Sequence, residues 1–192
     1  IARDLGAGPR TVLAAAAVVV AAVALTQPAY RRSTEVAPTR SGGRRLGPVL
    51  LLLGVLTGVS FLVEDAVQSW SALHLERTLD SPPWVGGLGP GLFAGAMAAG
   101  RFGAHAFFTD VRDTLVVAGG GAGLALGVLL LALAPHAPLA LVGMATAGAG
   151  VSVLAPTFFS AVGARSAPGR QGADLGLVSA IGYLGFVAGP PL

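Results

Sequence analysis

From Leu46 to Val63 the chain runs for eighteen residues without a charge, and then meets two carboxylates at once, Glu64 and Asp65. A helix needs roughly 20 apolar residues, rising ~1.5 Å each, to cross a bilayer. The run therefore reads as a membrane span, continuing past the acids through Gln68, Ser69, Trp70 and Ser71 to about Leu79. At ~100° per residue, Thr57, Ser60, Glu64, Gln68 and Ser71 share one narrow sector of a helix. Trp70 points away from it and Asp65 sits on its shoulder. Ionisable groups in a bilayer cost at least ~2.5 kcal/mol each, so they face an aqueous cavity or a polar partner. Two readings follow. The stripe is a path for a solute or a proton, or the helix leaves the membrane here with Glu64 and Asp65 at the headgroups.

Charged residues make up 11% of the chain, against about 25% in a soluble domain. The expected fold is an all-α integral membrane protein. The net charge is +3 and the twelve basic residues are all arginine, but they lie in short connectors. A nucleic-acid partner needs a clustered basic face, and none is expected. Cysteine is absent, and His74, His105 and His136 are far apart. The pattern implies no metal, no cofactor and no thiolate nucleophile. Thr11–Leu25 is followed by five arginines with no A-x-A-like cleavage site, so it does not read as a signal peptide. With Leu192 falling inside an apolar segment, the chain reads as a piece of a longer protein.

Six spans are expected. Thr11–Pro28 is the first, and the Pro-, Ser- and Arg-rich stretch Tyr30–Arg45 after it cannot bury a core. Leu46–Leu79 is the second, ended by Pro82-Pro83, whose nitrogens donate no hydrogen bonds. Trp84–Phe108 is the third, with Gly87, Gly91, Gly95, Ala99 and Gly103 at every fourth position. Gly119, Gly123 and Gly127 repeat this in the fourth, Thr114–Ala134. Small-xxx-small faces let helix backbones approach in lipid, so both are expected to pack against neighbours. Ligand approach or hinging is the other reading. The fifth span, Leu139–Ala164, carries a mid-span Pro156 that should kink it. The sixth begins near Leu175 and meets Gly189-Pro190-Pro191. The connectors Tyr30–Arg45, Gly100–Asp113 and Arg165–Asp174 hold five, two and two arginines, and the alternate connectors hold one and none. The positive-inside rule places the first set in the cytoplasm. Arg3 and Arg10 dissent.

A basic cytoplasmic linker between spans resembles the middle of a major facilitator superfamily transporter. Residues Val63–Ala66 through Trp70–Leu73 look like an acid–A–x₃–W–S–A stretch on helix 7 of a bacterial inner-membrane branch. Gly100, Arg101, Asp110 and Arg112 match the superfamily's conformational loop motif between helices 8 and 9 loosely, with His105 where an acid is expected. The resemblance implies that residues 1–29 end the N-terminal half as helix 6 and that 30–45 are the central loop. Residues 46–192 are then a C-terminal half-bundle, helices 7 to 11. The first five helices and helix 12 lie elsewhere. It further implies a multi-pass transporter of the bacterial inner membrane, working by alternating access. Its partners are a small-molecule solute, protons or another ion, the lipid bilayer and the missing N-terminal half. Ser60, Glu64, Asp65, Gln68, Ser71 and Tyr183 are the residues expected along its pathway. Few arginines and one or two carboxylates favour neutral or cationic solutes. A membrane scaffold or subunit, and an intramembrane enzyme, are the alternatives. The second lacks any nucleophile–base or H-E-x-x-H spacing, and His74 near Arg77 reads as an interfacial residue.

Overall fold

The computed structural model describes Ala14, residues 47–107 and residues 112–189. The expected first span Thr11–Pro28, the linker Tyr30–Arg45 and Asp110 fall outside the described residues, as does the side chain of His105. Within them lie six helices: α1 (Pro48–Arg77), α2 (Pro83–Phe107), α3 (Asp113–Leu133), α4 (Ala137–Val151), α5 (Leu154–Arg165) and α6 (Gln171–Ala188).

Local chemistry sets their ends. Pro48 opens α1 at a position where its missing N–H is no loss. After Arg77 the backbone turns at Asp80, the one described non-glycine residue with positive φ (49°), and the Ser81 N–H reaches back to Leu75 O at 3.1 Å. Pro82 and Pro83 then launch α2. Asp113 sits in the first turn of α3, where a carboxylate favours the helix dipole. His136 caps α4, its Nδ1 accepting from the Leu139 N–H at 3.4 Å. The expected kink appears as a full break at Ser152-Val153. Pro156 has no N–H for the Ser152 carbonyl four residues back, and its ring crowds that oxygen.

The fifth expected span is therefore α4 and α5 in tandem, Ala137–Arg165. It joins α1, α3 and α6 as the described helical stretches long and apolar enough to cross a membrane. At 25 residues α2 is long enough (~37 Å), but its glycines and prolines dilute its apolarity. Asp174, placed in a polar loop by its neighbours in sequence, lies in the first turn of α6, buried and paired with Arg170 at 3.5 Å.

Helices α3 and α4 pack along each other, as do α1 and α6, while α2 bridges α1 and α4. Glycine makes the first two seams. A Cβ on Gly127 would lie 2.6 Å from both Ala147 Cα and Gly143 O, and one on Gly150 2.7 Å from Gly120 O. On α6, Gly185 abuts the backbone of Gly58 and Leu62, and Gly182 lies over Thr57. Between the seams the core is filled by Leu53, Val67, Phe93, Leu124, Met144 and Phe158.

One expected face is corrected. Gly87, Gly91 and Gly95 have nothing within 4 Å of a would-be Cβ, and Ala99 is exposed, so this face turns away from the other described helices. The packed face of α2 is the neighbouring one: Gly86 under Glu76, Gly89 under Leu75, Phe93 over Gly148, and Gly100 against Ser152. On α3 the repeat holds only in part, because Gly123 and Gly127 meet α4 while Gly119 is open and Gly120 takes its place. The physical reason is crowding elsewhere: both faces of α2 carry glycine, but the other one also carries Val85 and Phe93, which are buried.

Candidate functional site

The site is built on α1. Thr57, Ser60, Glu64 and Ser71 are all buried, with Gln68 half-buried between them. Thr57 and Ser60 donate to the carbonyls of Leu53 (2.8 Å) and Leu56 (2.9 Å), and Ser71 reaches Gln68 O at 3.5 Å. Hydroxyls that bond back into their own helix meet the cost of burial locally. Their oxygens remain acceptors, while their protons are committed.

Glu64 is different. It is 8% exposed, and its carboxylate makes no hydrogen bond to a described residue. The charges acting on it are Arg101, favourably, from α2, and Asp65, unfavourably, from its own helix. Arg101 itself is exposed and leans its guanidinium on Met97 Sδ at 3.5 Å. Glu64 stands about 24 Å from the start of α1 and about 20 Å from its end. The helix continues for about 20 Å past Glu64, burying Val67 and Leu75 against its neighbours on the way.

Asp65 turns toward α6, its side chain against Gly189. The Trp70 indole N–H is buried with no acceptor among the described residues. Tyr183 does not join the stripe. It is 59% exposed and belongs to an aromatic group with Phe61 (centroids 5.8 Å apart) and Phe186 (6.1 Å). Of the loop motif, Gly100 is a packing contact on α4, Arg101 faces the stripe electrostatically, and Arg112 is the exposed N-cap of α3.

His74 is corrected from interfacial to fully buried. Its Nε2 lies 3.1 Å from Leu131 O in the last turn of α3. Carbonyls there have no helical donor, so His74 supplies one, and a carbonyl can only accept, which puts the proton on Nε2. Its partner is 57 residues away in sequence, so no local spacing could have signalled the bond. No set of three His, Asp or Glu side chains converges on a metal position among the described residues.

The chain is 30% identical over 143 residues to an uncharacterised MFS-type transporter of Yersinia pestis, covering 73% of this chain and 36% of that protein. It is 29% identical over 143 residues to the membrane protein MosC of Rhizobium meliloti, covering 74% and 35%. The chain thus matches about a third of the length of these relatives. No solved structure matches it. The family model of the Major Facilitator Superfamily spans residues 5–190. With all-helical architecture and that match over nearly its whole length, the chain belongs to the Major Facilitator Superfamily.

Proposed function

We propose that this chain is the central loop and most of the C-terminal half of a secondary active transporter in a bacterial inner membrane. It moves a small neutral or cationic solute, with Glu64 as the coupling carboxylate of this half. The observation that carries the reading is Glu64 itself: a buried acid near the middle of a 30-residue helix, without a hydrogen bond to a described residue, within the influence of Arg101 on the next helix. An ionisable group so placed is costly and is kept for a function, above all for proton or ion relay. Residues 1–29 close the N-terminal half, 30–45 join the halves, and the solute cavity lies between them near the midplane. Ser60, Gln68 and Ser71 flank Glu64 along that cavity as acceptors.

The test is Glu64→Gln in full-length protein reconstituted in vesicles, with solute-driven proton movement followed by a pH-sensitive dye. Accumulation against a gradient collapses while downhill exchange persists. A variant that accumulates solute like the parent removes Glu64 from coupling, and a parent that moves no solute at all favours the scaffold reading.

A further inference from the structure

The seam between α1 and α6 has two unlike flanks. Gly54, Gly58 and Asp65 of α1 meet Ile181, Gly185 and Gly189 of α6 in turn, which fixes the rotation of both helices. On one flank stand Leu51 and Val55 from α1 with Leu177 and Leu184 from α6, all exposed among the described residues and all aliphatic. On the other stand Phe61, Phe186 and Tyr183. Phe61 and Phe186 stack with their centroids 4.5 Å apart, and Tyr183 lies 5.8 Å from Phe61 at a tilt of 33°. Phe61 is the buried floor of this group and Tyr183 its open face.

The aromatic flank runs on into the polar stripe. A Cβ on Gly182 would meet Thr57 Cγ2 at 2.8 Å and Phe61 Cε2 at 3.3 Å, so one point of α6 touches the stripe and the aromatic group together. Glu64 follows Phe61 by three residues, a spacing that puts Cβ atoms about 5–6 Å apart on a helix. Depth adds a further constraint. Phe61 lies about 20 Å along a helix about 45 Å long, away from the membrane interfaces where tyrosines gather. Tyr183 brings a hydroxyl to that depth, exposed and without a hydrogen bond to a described residue. Hydrocarbon would leave the hydroxyl unsatisfied. The aliphatic flank matches lipid; the aromatic one matches the solute path.

The face of an aromatic ring is electrostatically negative, and a carboxylate one turn away adds to it with the same sign. An ammonium within about 6 Å of the ring centroids is attracted by both. Arg101 leans on Met97 of its own helix and makes no contact with these rings, so their open faces are left to a ligand. We propose that Phe61, Tyr183 and Phe186 form a subsite for an organic cation, its quaternary or protonated-amine head held between the rings and Glu64. The subsite rests on the transport reading above and narrows its solute from neutral or cationic to cationic.

The test is calorimetric titration of purified full-length protein in detergent with choline and with benzyltrimethylammonium. Dimethylbutanol, the neutral carbon isostere of choline, is the control. Both cations bind saturably and the isostere does not. Tyr183→Leu weakens both by about three- to thirty-fold, the range of one cation–π contact, while Tyr183→Phe, which keeps the ring, retains most of the affinity. Phe186→Leu behaves like Tyr183→Leu and decides the matter if that variant does not fold. Leu184→Ala, on the aliphatic flank, binds like the parent. A parent that binds neither cation, or binds the isostere as well as choline, overturns the proposal; so do Tyr183→Leu and Phe186→Leu with parental affinity. Failure of the subsite alone is recognised by vesicles that accumulate another solute through Glu64 while neither cation binds. Failure of the transport reading alone is recognised by ring-dependent cation binding in a protein that moves no solute.

Discussion

Gly119 and Gly127 occupy equivalent places in one repeat on one helix, yet the structure gives them opposite surroundings, and Ala at each position separates them. On intrinsic propensity, Gly→Ala gains up to ~1 kcal/mol in a helix interior, equally at both sites. At Gly119 nothing lies within 4 Å of the new methyl, so the gain stands alone. At Gly127 the methyl would sit 2.6 Å from Ala147 Cα and from Gly143 O. Both are α4 backbone atoms, which no rotamer change can move. Restoring ordinary contact needs the helices to part by about 1 Å, and gaps of 0.5–1 Å forfeit a quarter to a half of each contact energy they open. Overpacking of this kind costs about 1–3 kcal/mol. Gly127→Ala should therefore be less stable than Gly119→Ala by about 1–3 kcal/mol, a factor of roughly 5–150 in the folding equilibrium. Thermal or denaturant unfolding of full-length protein in detergent measures the difference. Equal stabilities, or a larger loss at Gly119, would refute the assignment of faces on α3.

Gly54→Ala meets a side chain instead, Ile181, whose Cδ1 lies 3.0 Å away. Its loss should be largely recovered in the Gly54→Ala/Ile181→Ala double variant, with a coupling energy of ~0.5–3 kcal/mol in a double-mutant cycle. His74→Phe leaves Leu131 O without its donor and should cost about 1–3 kcal/mol in unfolding. Arg170→Ala, breaking a half-solvated ion pair, should cost no more than about 1 kcal/mol. Pro156→Ala returns an N–H to the Ser152 carbonyl and should join α4 and α5 into one straighter helix. Spin labels placed near the two ends would read a longer separation, and an unchanged one would place the cause of the break elsewhere.

The positions of the spans from Leu46 onward were legible because apolar run length and proline punctuation act locally. Pro82-Pro83 and Pro156 each mark an interruption that the structure shows within a few residues. The periodic clustering of Ser60, Glu64 and Ser71 was likewise readable, since it needs only the helical repeat. What the residues could not reveal was which side of a glycine-rich helix meets a neighbour. On α2 glycines recur on two adjacent faces, and the choice falls to the one that also carries Val85 and Phe93, across from Gly148. Nor could they reveal His74's bond to Leu131 or the contact of Asp65 with Gly189. Both join residues more than fifty positions apart, and the signal is a carbonyl or a glycine on the far helix.

The dilution of α2 by glycine bears on how the chain is made. A segment partitions into lipid from the translocation machinery on its own apolarity, and α2, despite its 25 residues, is not among the described helices apolar enough to span a membrane. Its seat requires α1, already synthesised, and α4, which is not. From Phe107 to Val151 another 44 residues must emerge. At ~5–20 residues per second that is a delay of about 2–9 s. During that interval α1 is the one described helix already made that α2 packs against, through contacts such as Gly89 beneath Leu75 and Gly86 beneath Glu76. Those two glycines thus hold a nascent hairpin together before there is a bundle for it to join, and substitutions there should lower yield in the membrane more than they lower the stability of molecules that arrive.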